Sequence, residues 1–117
     1  MHYKTAKNEN VLFMCVEHNR LKALVYLMSS ETVYDVNEEN FRKETILHLA
    51  AYKGYRDIVA YLLTIKADME AKNSEGQTPL ILATSENKKE IVKLLLMKGA
   101  DRWQADNNGR TALTISQ

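Results

Sequence analysis

The sequence predicts an all-α fold, a solenoid of short helix–turn–helix units stacked on one another. Three observations predict it. The chain resembles itself at a step of 33 residues, the mark of one supersecondary unit used several times. Within each unit, apolar residues recur at spacings of three and four, which places them on one face of a helix. Residues that start and stop helices stand at the same places in successive units. Isolated helices under about 12–15 residues are marginal in water. Stacked on copies of themselves, they share a continuous core and become stable together.

The clearest unit contains ETILHLAAYKGYRDIVAYLL, residues 44–63. Thr45 stands before the first apolar run, where its hydroxyl can accept from the free amides of a first turn. Thr78 and Thr111 follow at steps of 33. Pro79 comes directly after Thr78, at the helical position where a missing N–H costs nothing. The first helix of each unit stops at Asn19, Gly54 or Asn87. Asparagine and glycine are the residues that most readily take the left-handed conformation ending a helix. Ala50, Ala51 and Ala83 are small and allow a neighbouring helix to approach closely. The second helix carries Ile58, Val59, Leu62 and Leu63, repeated as Ile91, Val92, Leu95 and Leu96. A fainter copy, NVLFMCVEHNRLKALVYLM at 10–28, aligns Leu12 with Leu47 and Asn19 with Gly54. Two extra residues within SSETV separate it from the next, and the phase returns at Asp35, which lies 33 before Asp68.

The period and the motifs TILHLAAYKG, TPLILATSEN and GRTALTIS resemble the ankyrin repeat, and the resemblance covers about residues 5–117. It implies an ankyrin-repeat solenoid in which each helix–turn–helix is followed by a projecting β-hairpin loop. Inner helices and loop tips would together form a concave binding face. Residues 1–117 are expected to be one domain, with repeats at about 5–36, 40–72 and 73–105 and a truncated fourth at 106–117. Repeat two departs from the family pattern. Lys43 and Lys66 stand where Gly76, Gly109 and Gly99 stand elsewhere. The family histidine occurs only as His48, with Phe13, Ile81 and Thr114 at its other positions. By resemblance, His48 hydrogen-bonds its surrounding turns.

The chemistry of the chain points away from catalysis. It has three histidines, one cysteine and a net charge of +1, with no Gly-rich phosphate loop, zinc spacing or calcium loop. Cys15 and His18 are three apart on one predicted helix and could form a nucleophilic pair. Yet Cys15 occupies the small slot of Ala50 and Ala83, where cysteine packs as a small hydrophobe. His2 is expected in a frayed terminus. No cofactor, metal or small-molecule substrate is expected. A lone cysteine and the absence of a signal-peptide pattern suggest an intracellular protein, cytoplasmic or nuclear. The balanced charge argues against a dedicated nucleic-acid binder, and the apolar runs are too short to span a membrane. Lys88, Lys89, Lys93 and Lys98 make one outer helix basic, a face expected to be solvated. Glu31, Asp35, Glu38 and Glu39 give the first loop region the opposite charge.

The expected function is therefore a non-catalytic protein–protein interaction module: an adaptor, inhibitor or scaffold that grips a partner protein. The register places its candidate contacts at Phe41, Arg42, Tyr52, Lys53 and Ile65 of repeat two. Ser74, Glu75, Ser85 and Glu86 of repeat three continue the strip, and Trp103 would extend it towards the truncated end. Aromatics and arginines commonly dominate such interfaces. The alternative for Trp103 is folding onto its own loop, and for Tyr52, stacking between repeats. Val25 should be exposed, or covered by N-terminal residues. The truncated last repeat also suggests an interaction segment of a larger enzyme, channel or secreted effector, or self-association through that open end.

Overall fold

A computed structural model describes residues 11–31 and 33–116. The expectations for His2, for the start of the first repeat and for N-terminal residues covering Val25 lie outside the described residues. Seven helices follow in order: α1 Val11–Glu17, α2 Leu21–Met28, α3 Ile46–Lys53, α4 Arg56–Thr64, α5 Pro79–Ser85, α6 Lys89–Met97 and α7 Ala112–Ser116. They form three helical hairpins and a single last helix. The inner helices α1, α3, α5 and α7 stack in sequence, each on the next, and α6 lies against α4 on the outer side.

Sequence explains each end of these helices. The Thr45 hydroxyl accepts from the His48 amide, and the His48 ring accepts from the Thr45 amide, a reciprocal cap. Thr78 caps α5 by accepting from the Ile81 amide, with Pro79 in the first turn. At the far ends, Asn19, Gly54 and Asn87 have φ of 56°, 77° and 61°. The next amide in each case donates back into the helix, Arg20 to Cys15, Tyr55 to Ala50 and Lys88 to Ala83, at 2.7, 3.0 and 2.8 Å. These bonds satisfy carbonyls that would otherwise be orphaned. Outer helices close similarly, with Lys66 at φ 70° and Gly99 at φ 98°. The amides of Ala67 and Ala100 then donate to Leu62 and Leu95.

The core is a row of side chains supplied once per unit. Leu12, Leu47 and Leu80 are at most 1% exposed, as are Ala50, Ala51 and Ala83, Ile58 and Ile91, and Leu62 and Leu95. A fully buried leucine contributes about 1.5–3 kcal/mol relative to an exposed one, which is how such short helices persist. The row ends abruptly. Leu113, in register with Leu47 and Leu80, is 51% exposed. Val92 is half-buried where its counterpart Val59 is fully buried.

The projecting loops differ from the expected hairpins in one respect: among the described residues they contain no strand. Each is instead closed by one acidic or amide side chain. The amides of Asn40, Asn73 and Asp106 donate to the carbonyls of Glu44, Gln77 and Arg110 at 2.9–3.0 Å. Their Oδ1 atoms accept two further amides each, from residues 42 and 44, 75 and 77, and 108 and 110. The tips at Lys43, Gly76 and Gly109 all have positive φ, at 61°, 78° and 77°. Neighbouring loops are joined by backbone bonds from Ser74 to Arg42 and from Asn107 to Glu75, at 2.9 and 3.0 Å.

Candidate partner interface

The inner helices and loops line a half-open concavity of about 620 Å³ that no outer-helix residue reaches. Loop residues Arg42, Ser74 and Glu75 line it from one side, and Tyr52, Ser85 and Glu86 from the ends of α3 and α5. These six are all positions that the register selects, and the fold brings them together. The wall is completed by Glu44, Gln77 and Arg110, equivalent residues preceding the helix-capping threonines, with Asn73 and Leu82.

The other candidates lie elsewhere. Phe41 is 77% exposed at its loop tip, with the Arg42 guanidinium 5.4 Å above its ring. Lys53 reaches back from α3 to α1 and pairs with Glu17 at 3.1 Å. That hydrogen-bonded carboxylate holds the ammonium above its ordinary range. Ile65 ends α4 and packs partly against the core. Trp103 does not extend the concave strip. It stands, 68% exposed, in a separate groove with Val92, Leu96, Ala112 and Leu113, at the open end of the stack. Its backbone amide donates to Asp101 at 2.9 Å, and the Gln104 amide to the same carboxylate, so Asp101 titrates below its usual value.

Register alone does not single out Asn40, Asn73 and Asp106, whose side chains shape the loops. Their spacing of 33 is the trace they leave in the sequence. Asp106 is 7% exposed and accepts from the Arg110 backbone and side chain, which hold its carboxyl low. His48 is fully buried. Its Nδ1 accepts from the Thr45 amide at 3.1 Å, so Nε2 carries the proton and donates to the Gln77 carbonyl at 2.8 Å. Burial pushes its pKa below the ordinary 6.5 and keeps the ring neutral. The histidine is thus a strut between successive loops.

Cys15 is buried, and that burial raises its thiol pKa. Among the described residues no hydrogen bond joins it to the exposed His18. Among the same residues no three His, Cys, Asp or Glu side chains gather as a metal site. Among the described residues no helix is long and apolar enough to cross a membrane. Lys89, Lys93 and Lys98 are exposed, while Lys88 is half-buried, with its aliphatic stem over Gly54.

A stack of helical hairpins with its loops on one side and a concave wall of non-core residues defines the class: a helical repeat protein. Residues 63–117 match a family model described as ankyrin repeats in three copies, and residues 31–83 match one described as ankyrin repeats in many copies. Together the matches run from 31 to 117, and the chain belongs to the ankyrin repeat family. Repeats of this family are generally protein–protein interaction modules, and their domains are typically non-catalytic. No curated protein matches the chain.

Proposed function

We propose that residues 1–117 act as a single non-catalytic module, an adaptor, inhibitor or scaffold, that holds a partner protein in its concave face. The observation that carries this reading is the convergence of Arg42, Tyr52, Ser74, Glu75, Ser85 and Glu86 on one concavity. None of them belongs to the buried core, so their side chains are available for recognition. Tyr52, 47% exposed, is the large side chain best placed to act as an anchor. The same module would serve as the recognition segment of a larger enzyme, channel or secreted effector. An intracellular site of action, cytoplasmic or nuclear, belongs to the proposal and rests on Cys15 having no second cysteine to pair with.

Affinity purification with mass spectrometry tests it, comparing the wild type with Tyr52→Ala. Loss of a hot-spot aromatic weakens binding by about 2 kcal/mol or more. The variant should therefore lose partners that the wild type retains, while its circular dichroism stays unchanged. Lys89→Ala and Lys93→Ala on the outer face should retain them. The opposite pattern would move the interface to the basic outer helix.

We propose a second contact at the face formed by α6 and α7. Leu113 is 51% exposed and Val92 half-buried where their counterparts are buried, and another copy of the chain meeting this face would bury both further. Sedimentation velocity should then show association that Leu113→Glu abolishes. A concentration-independent monomer would remove this contact.

A further inference from the structure

Gln77 carries a hydrogen-bonding capacity that the fold does not use. It is 8% exposed, yet it lines the concavity. Its orientation is fixed by its neighbour. Asn73 Oδ1 already accepts from two backbone amides, so the other side of that amide must donate. Asn73 Nδ2 gives its hydrogen to Gln77 Oε1 at 3.0 Å. The Gln77 NH2 group is left with no acceptor among the described residues. The equivalent side chains each have an internal partner. Glu44 accepts from Asn40 at 3.2 Å. Arg110 is held on Asp106 by two bonds, at 2.9 and 3.0 Å. A donor on this wall that has no acceptor among the described residues is free to bond to whatever occupies the concavity. This one therefore marks where a hydrogen-bond acceptor belongs.

The charges around it specify the remainder of the occupant. Glu44, Glu75 and Glu86 line the same space. Of the two cations there, Arg110 is neutralised by Asp106, and Arg42 lies over the Phe41 ring at the loop tip. Neither Glu75 nor Glu86 forms an ion pair among the described residues. The concavity therefore offers carboxylates in excess and, in Gln77, a largely buried neutral donor.

We infer that the concavity recognises an extended segment of a partner protein through one arginine or lysine. A backbone carbonyl of that segment accepts from Gln77 Nε2. The cationic side chain enters among Glu44, Glu75 and Glu86, beside the Tyr52 ring. This inference rests on the concave-face reading and adds the chemistry of the partner to it.

Selection of random heptapeptides displayed on phage against the whole chain tests it, with selected peptides then measured by fluorescence polarisation. Arginine or lysine should be enriched at one position, and its replacement by citrulline or glutamine should weaken binding about tenfold or more, the loss expected for a charge-assisted bond. Glu75→Gln with Glu86→Gln should cause a similar loss. Gln77→Met should weaken all selected peptides. If Gln77→Met fails to fold, reduced-amide scanning along the peptide against the unaltered protein reads the same contact as one sensitive carbonyl. Peptides that lack a basic residue, yet lose binding with Tyr52→Ala, would overturn the inference and leave the concave module standing. Binding indifferent to both Tyr52 and the two glutamates, or no selected peptide at all, would overturn both.

Discussion

Lys66 should be more stable as glycine, and the structure lets the gain be worked out. Its φ of 70° lies in the left-handed region, where an L side chain is strained by roughly 1–2 kcal/mol. The side chain is exposed and makes no ion pair or hydrogen bond among the described residues, so its removal sacrifices nothing. Its backbone amide donates to Leu63 at 3.2 Å, a bond that glycine keeps. Gly99, in the same place one unit later, has φ 98° with no atom within 4 Å of where a Cβ would sit. Against the relief stands glycine's larger loss of chain entropy on folding, about 0.5–1 kcal/mol. The balance lies between about 0 and 1.5 kcal/mol, centred on a stabilisation of about 0.75 kcal/mol, or about 2–5 °C in Tm for a domain of this size. Urea denaturation followed by far-UV circular dichroism measures it. Lys66→Ala is the control, since alanine keeps the strain and should gain nothing. A Lys66→Gly protein no more stable than wild type would refute the argument, and so would a Lys66→Ala protein stabilised equally.

The remaining predictions use the same measurement. His48 has its pKa lowered by burial, so the unfolded chain binds the proton more readily. Stability should therefore fall as pH drops below about 6.5 and go on falling until the folded pKa is reached, by at most about 1.4 kcal/mol per pH unit. His48→Ile, which places there the residue found at position 81, should flatten that slope while lowering stability at pH 7; an unchanged slope would exonerate the histidine. Ala50→Leu overfills the contact between inner helices and should destabilise by about 1–3 kcal/mol. Glu86→Leu on the exposed rim should leave the urea midpoint nearly unmoved, and two equal midpoints would contradict the assigned register. Asn73→Ala should cost about 1–3 kcal/mol because two amides of the loop lose their acceptor. Asn73→Asp should stay close to wild type, as Asp106 closes the next loop in the same way.

Much of the fold is legible in the sequence because local chemistry and periodicity agree. Thr45, Thr78 and Pro79 begin helices, Asn19, Gly54 and Asn87 turn them, and the positive φ at Lys43 and Lys66 follows from their glycine counterparts. The concave positions also follow from register, since a residue's place in the unit fixes its wall. What register does not supply is side-chain direction in the loops. Trp103 leaves the strip because its loop turns it onto α6 and α7 rather than towards the concavity. The roles of Asn40, Asn73 and Asp106 depend on an oxygen meeting two particular amides. No hydrophobic pattern records that. The spare donor of Gln77 is subtler still, arising from how Asn73 divides its bonds.

The loop architecture separates two kinds of information within one chain. Closure of each loop is delegated to Asn40, Asn73 and Asp106, while Arg42 and Glu75 contribute only backbone to the bonds between loops. The exposed tips at Phe41, Arg42, Ser74 and Glu75 can consequently vary in sequence without disturbing the instructions for folding. Randomising those four sites would yield a library whose members share one architecture and differ in what they bind. Drift at the same sites offers a natural lineage the same freedom, so new specificities can arise by single substitutions while the scaffold is inherited intact.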